Sequence, residues 1–159
     1  LGLVFQGLRL AEGGHLDEAR DAAARADLLL GDLPASTRVF FAVTNLAELF
    51  TKVGRADRTV ELCRNAIPAT LSSHHPSYTS GLLLALAQAQ ESSGQAEAAW
   101  LTLDLLLAFP GALPSQVKER AERDILRLDE ASEDQSRDRS ESFLKVRNWQ
   151  NKVLELLNS

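Results

Sequence analysis

Three glycines recur forty residues apart in this chain, at Gly14, Gly54 and Gly94, and this period constrains the fold more than any other feature. Each glycine follows one apolar helical run and precedes another. A glycine between two helices tolerates the positive φ at which the first helix ends. A fixed period of roughly 20–50 residues is typical of stacked repeats, so the sequence predicts three helical hairpins that pack in a row. The alternative is an irregular helical bundle in which the equal spacing of the glycines is a coincidence.

The apolar residues follow a helical period along the chain, and no segment shows the alternation typical of a strand. The expected hairpins pair 1–11 with 16–30, 36–53 with 56–67, and 81–92 with 96–108. Ser36 or Thr37 is the expected N-cap of the third helix, and Pro68 is expected to end or kink the fourth. A loop is expected at Ser72–Thr79.

The composition changes after Pro114. A charged helix is expected over Ser115–Ala131, with Ser115 as its N-cap and one apolar stripe of Val117, Ala121, Ile125 and Leu128. Its polar remainder suits a helix that caps the last hairpin, and the start of a coiled coil is the alternative. The expected division is a repeat array with its cap at 1–131, a polar linker at 132–142, and a C-terminal amphipathic helix at 143–159.

The second hairpin carries the pattern of a known repeat most fully, with Leu46, Ala47, Phe50 and Gly54 in its first helix and turn and Ala66 in its second helix. The third hairpin repeats the pattern at Leu86, Ala87, Gly94, Ala99 and Leu103, and the first at Gly7, Gly14, Ala19 and Ala26. These positions resemble tetratricopeptide (TPR) repeats, in a variant whose period exceeds the usual length of about 34 residues. Departures occur at Ala23, Thr59, Cys63, Gln90 and Leu106. The fold class expected is all-α: a solenoid of three TPR-like hairpins, a capping helix and a C-terminal amphipathic helix.

The resemblance implies a concave groove lined by the first helix of each hairpin. The residues that it places there are Phe41, Thr44, Asn45, Glu48 and Lys52 from the second hairpin, Leu84, Gln88 and Glu91 from the third, and Val4, Leu8 and Glu12 from the first. Few cations stand at these positions, so the expected ligand is an apolar or amphipathic peptide helix rather than an acidic chaperone tail. The alternative is that the chain's own helix Phe143–Leu157 fills the groove.

The terminal helix presents Phe143, Val146, Trp149 and Val153 on its apolar side, and these residues are a possible interface. Three interpretations stay open for it. The helix packs back on the array, pairs with its copy in a homodimer, or leads into a further domain.

The candidate chemical groups favour structural roles. His74 and His75 are neighbours in a loop, whereas zinc ligands on a helix stand at i and i+4. Cys63 is expected to be a buried, inert thiol, with the adjacent Arg64 facing away, because a nucleophilic cysteine needs exposure and a basic neighbour. His15 is expected in a turn. The sequence lacks the phosphate-binding glycine loop and the G-x-S-x-G motif. We therefore expect a protein without catalysis, metal or cofactor.

The net charge of −5 argues against a nucleic-acid surface, and no apolar run reaches the length of a membrane span. The single cysteine fits a reducing compartment, and a cytoplasmic location is expected. The absence of methionine suggests an excised or processed segment. The expected function is a scaffold-like protein–protein interaction module. A sensory segment of a larger signalling or transcription-regulating protein is the alternative, and a self-associating architectural module is a third.

Overall fold

A computed structural model of the protein describes residues 1–32, 40–72, 76–132 and 148–159. Within these ranges the chain forms eight α-helices and no strand, which confirms the all-α prediction. The helices are α1 (Gly2–Glu12), α2 (Leu16–Gly31), α3 (Phe40–Lys52), α4 (Ala56–Ser72), α5 (Pro76–Ser92), α6 (Ala96–Leu107), α7 (Ser115–Ala131) and α8 (Trp149–Asn158).

The three spaced glycines adopt one conformation. Their φ angles are 82°, 78° and 76° for Gly14, Gly54 and Gly94. Each glycine N–H donates to the carbonyl three residues back, at 2.9–3.2 Å, and the next N–H donates to the carbonyl five residues back, at 2.8–2.9 Å. These two hydrogen bonds to the end of the preceding helix form a Schellman cap, which needs a residue in the left-handed conformation. The predicted glycine turns are confirmed.

The helices pack in the order of the chain. Each odd-numbered helix from α3 to α7 contacts both helices of the preceding pair, so α1, α3, α5 and α7 lie as successive neighbours. The last helix, α8, packs on α6 and α4 instead. We call the surface formed by the outward side chains of α1, α3 and α5 the odd-helix face; α7 packs at its far end, whereas α8 packs on the even-numbered helices.

Small residues allow close approach in the seams between helices. A Cβ added to Gly7 would lie 2.6 Å from Cδ2 of Leu49, and Ala47 and Ala99 are fully buried. Thr59 departs from the alanine of the repeat pattern, but its hydroxyl donates to the Ala47 carbonyl at 2.9 Å. The buried oxygen is therefore satisfied, and the substitution fits the seam.

Three predicted boundaries are wrong. α4 continues through Pro68 to Ser72, so Pro68 does not end it, and α5 begins at Pro76, so residues 72 and 76–79 are helical where a loop was predicted. Pro68 and Arg64 are both exposed, so the Arg64 carbonyl that loses its helical donor is on the solvent side. Pro76 stands at the start of α5, where a missing N–H costs no helical bond. Ser115 is the first residue of α7, and Pro114 is its N-cap. The predicted caps Ser36 and Thr37 lie outside the described residues.

The described part of the terminal helix packs back on the chain. Trp149, Val153 and Leu157, spaced four apart, are buried against α6 and α4. The indole Nε1 of Trp149 donates to the Leu105 carbonyl at 2.7 Å. That carbonyl belongs to the last turn of α6, where the Phe109 N–H bonds to Leu106 instead. Trp149 therefore completes the end of α6.

Two of the four residues predicted to form an interface on the terminal helix are buried within the chain. Trp149 and Val153 are internal contacts rather than the exposed residues that a dimer interface would need, so that interpretation is wrong for these two residues. Phe143 and Val146, the other two, lie outside the described residues.

Candidate docking surface on the odd-numbered helices

Two phenyl rings form an exposed pair at the start of the odd-helix face. Phe41 of α3 is 46% exposed and Phe5 of α1 is 41% exposed. Their ring centroids are 6.0 Å apart at an interplanar angle of 49°, within the range of attractive ring contacts. Large apolar side chains that stay exposed next to each other are typical of a site where another molecule packs.

Sequence reasoning found Phe41 but missed Phe5. The resemblance placed Val4 in the groove, and the structure buries Val4 in the core at 1% exposure, so that position is wrong. Leu1, Phe5, Leu8 and Glu12 are spaced four, three and four apart and lie on one side of α1. This spacing was a readable signal for Phe5.

The next two predicted residues are tied to their own helix. The Asn45 side-chain amide donates to the Phe41 carbonyl at 2.7 Å, and the Thr44 hydroxyl donates to the Phe40 carbonyl at 2.9 Å. Thr44 also packs closely on α5. A Cβ added to Gly81 of α5 would lie 2.8 Å from the Thr44 methyl group. Thr44 therefore contributes to helix packing, whereas the Asn45 side chain is held by its hydrogen bond to the Phe41 carbonyl.

The second half of the odd-helix face is engaged by α7. Arg120 lies 3.8 Å from the Glu48 carboxylate of α3 and donates to the Gln88 side-chain oxygen at 3.5 Å. Arg127 binds Glu91 through both of its terminal nitrogens. Three predicted lining residues, Glu48, Gln88 and Glu91, thus contact the chain's own α7.

Asp124 anchors α7 in the same network. It is 6% exposed, accepts a hydrogen bond from Gln88 at 3.4 Å, and pairs with Arg127 at 3.3 Å. The two carboxylates raise the pKa of Arg127 above its ordinary value, Glu91 contributing most, so this guanidinium stays charged. Of the predicted apolar stripe, Ala121, Ile125 and Leu128 are buried and Val117 is partly buried, in agreement with the predicted helical face.

Leu84 does not belong to an open surface. It is 4% exposed and lies in a run of six buried residues, 82–87, so its predicted place in an accessible groove is wrong. Lys52 is partly exposed and lies 3.7 Å from Glu48; of the remaining predicted residues, Leu8 is partly buried and Glu12 is exposed. The accessible part of the predicted site is therefore the region around Phe41, Asn45, Glu48 and Lys52, next to Phe5, which was not predicted.

The remaining candidates from the sequence take structural places. Cys63 is fully buried, its thiol lies 3.5 Å from the Leu82 carbonyl, and burial raises its pKa to about 12. Arg64 is exposed on the other side of α4, as predicted. His15 is exposed in the first turn and lies 3.4 Å from Glu18. His74 and His75 lie outside the described residues, and among the described ones no group of three ligands could hold a metal ion.

A cavity of about 230 Å³ lies between α2, α3 and α4 and was not predicted. Its apolar wall includes Leu30, Phe40 and Val43. At its rim Arg58 binds Asp27 at 2.5 Å and also binds Glu61. The hydrogen bond that Arg58 donates to the Asp27 carboxylate raises the pKa of Arg58, so the rim is a charged cluster that joins α2 and α4.

No described helix is both long enough and apolar enough to cross a membrane. Comparison with models of known protein families, with curated proteins and with solved structures finds no match. The proposals below therefore rest on the residues and geometry of this chain.

Proposed function

We propose that this chain is a non-catalytic protein–protein interaction module, built as a TPR-like stack of helical hairpins, which binds an amphipathic helix of a partner at the Phe5–Phe41 pair. The stack is supported by three equal glycine turns and by the packing of each odd-numbered helix on the preceding pair. The location is supported by the exposure of the two rings. The single buried cysteine suits work in a reducing compartment such as the cytoplasm.

The exposed ring pair is the observation that carries the proposal. Interfaces concentrate their binding energy in a few aromatic anchors that lose water on association. An amphipathic helix provides such a complement, because residues at i, i+3, i+4 and i+7 form one apolar stripe. The half of the face beyond Glu48 is occupied by α7, so the partner helix would contact mainly α1 and α3.

The test uses a synthetic amphipathic peptide of about four helical turns, with leucines at i, i+3, i+4 and i+7 and a fluorescent label. Binding to the intact chain is measured by fluorescence anisotropy. Phe41→Glu should weaken binding by at least about tenfold, since it removes an aromatic anchor.

Leu126→Glu is the matched control, because Leu126 is 53% exposed but lies on α7, outside the ring pair. It should leave binding unchanged, and circular dichroism should show equal helicity in both variants. Equal binding by wild type and Phe41→Glu, or an equal loss in Leu126→Glu, would contradict the proposed site.

A further inference from the structure

The charges around the Phe5–Phe41 pair differ in sign from those of the chain as a whole. Arg9 lies one turn after Phe5 on the same side of α1, and Lys52 lies three turns after Phe41 on the same side of α3. Arg120 of α7 reaches this region through its contact with Glu48. With Glu12 and Glu48, the region holds three cations and two carboxylates, whereas the net charge of the chain is −5.

The cations of this region have N–H donors that ion pairs with Glu48 do not use. Glu48 is shared between Lys52, at 3.7 Å, and Arg120, at 3.8 Å, and each of these cations remains more than a third exposed. A lysine carries three donors and an arginine five, so one carboxylate leaves most of them directed to water. Arg9 is exposed and has no ion-pair partner within the part of the chain that the structure describes. A second carboxylate could therefore bind here without displacing Glu48.

We infer that the partner helix is acidic on its polar side: its apolar stripe packs on Phe5 and Phe41, and its carboxylates meet Arg9, Lys52 and Arg120. This inference rests on the proposed function and adds the chemistry of the partner. No lysine or arginine occurs between residues 76 and 114, so α5 and α6 offer an acidic helix no cation of their own, whereas α1 and α3 offer Arg9 and Lys52 beside the ring pair. A basic helix, which the overall charge of the chain would attract, is the competing outcome.

The test compares two labelled peptides of about four helical turns that share one leucine stripe. One carries glutamates and the other lysines on the polar side. In low salt the glutamate peptide should bind the intact chain about fivefold more tightly than the lysine peptide does. This is the gain in affinity expected from two or three exposed charge pairs. The preference should shrink as salt rises, because exposed charges are screened.

A double variant, Arg9→Glu with Lys52→Glu, should reverse the preference. Arg64→Glu is its control, because Arg64 is an exposed cation on α4, away from the odd-helix face. The control should keep the wild-type preference for the acidic peptide. Circular dichroism of each variant establishes that its helices are intact.

The possible results separate the two proposals. If neither peptide binds, the docking function fails, and this inference fails with it. If both bind equally and Phe41→Glu weakens both, the docking function stands and the inference is wrong. Tighter binding of the basic peptide, or an equal change of preference in Arg64→Glu, would also overturn the inference.

Discussion

The protein contains two aromatic pairs of similar chemistry and opposite surroundings. Trp149 and Phe109 meet edge to face, with centroids 5.1 Å apart, and Trp149 is 5% exposed. Phe5 and Phe41 meet at 6.0 Å with about half of each side chain open to water. In the first pair Trp149 belongs to α8, which packs on α6 and α4, whereas no described helix packs over the second pair.

The difference shows what a covered aromatic site requires in this molecule. α8 supplies an apolar stripe at spacing four and one polar group, the indole N–H, which bonds to the carbonyl left free at the end of α6. Phe5 and Phe41 are also two rings in contact, with cations nearby, but no described helix packs on them. The packing of α8 on α6 within this chain thus resembles the packing of a partner helix that we propose at Phe5 and Phe41.

The largest effect is expected from removing the covered ring. Trp149→Ala should lower the free energy of unfolding by about 3–5 kcal/mol, because a buried indole leaves a cavity and an unbonded carbonyl. Phe41→Ala, its counterpart in the open pair, should cost about 1 kcal/mol or less. Urea unfolding followed by circular dichroism measures both. Equal losses would mean that the two pairs do not differ in burial.

The next effect distinguishes a buried leucine of α5 from an exposed leucine of α7. Leu84→Ala should lower the free energy of unfolding by about 2–5 kcal/mol, since the side chain is buried. Leu126→Ala, which removes an exposed leucine on α7, should change it by about 0.5 kcal/mol or less. Thermal and urea unfolding provide the comparison. A neutral Leu84→Ala would show that the Leu84 side chain is open to water.

A conservative change isolates the polar contact of the covered pair. Trp149→Phe keeps an aromatic ring but removes the indole donor 2.7 Å from the Leu105 carbonyl. The buried carbonyl then lacks its partner, and we expect a loss of about 1–3 kcal/mol in the free energy of unfolding. If Trp149→Phe is as stable as the wild type, the hydrogen bond does not hold α8 in place.

The smallest effect concerns the left-handed glycine turns between paired helices. Gly94→Ala should destabilise by about 1–2 kcal/mol, because the residue has φ = 76° although nothing lies within 4 Å of an added Cβ. Gly31 has the same open space without a positive φ, so Gly31→Ala should be neutral or stabilising by up to about 1 kcal/mol. Matching changes at both sites, measured by thermal unfolding, would remove the backbone explanation.

Features that depend on local backbone chemistry were predictable from the sequence. The positive φ of Gly14, Gly54 and Gly94 follows from the way a helix ends before a second helix. The apolar stripe of α7 follows from its spacing, because the rest of that helix is charged. Trp149 was predictable as an anchor, although its hydrogen-bond acceptor was not.

Features that depend on the contact between helices were not predictable. Six successive residues of α5, 82–87, are buried, so the apolar pattern marks no preferred side, and Leu84 was placed on the wrong one. The ion pair between Arg120 and Glu48 joins α7 to α3, which are separated by three helices in the chain, and it depends on how α7 lies across α5. The one-residue error between Val4 and Phe5 has the same origin, because it depends on the rotation of α1 about its axis.

The most direct measurement is an NMR titration of the intact chain with the acidic leucine-striped peptide, following the ring signals of Phe5 and Phe41 together with the indole N–H of Trp149. We predict saturable shifts at Phe5 and Phe41 while the Trp149 signal keeps its position and its slow exchange with water. Shifts that start at Trp149, with loss of its hydrogen-exchange protection and unchanged rings at Phe5 and Phe41, would contradict the account.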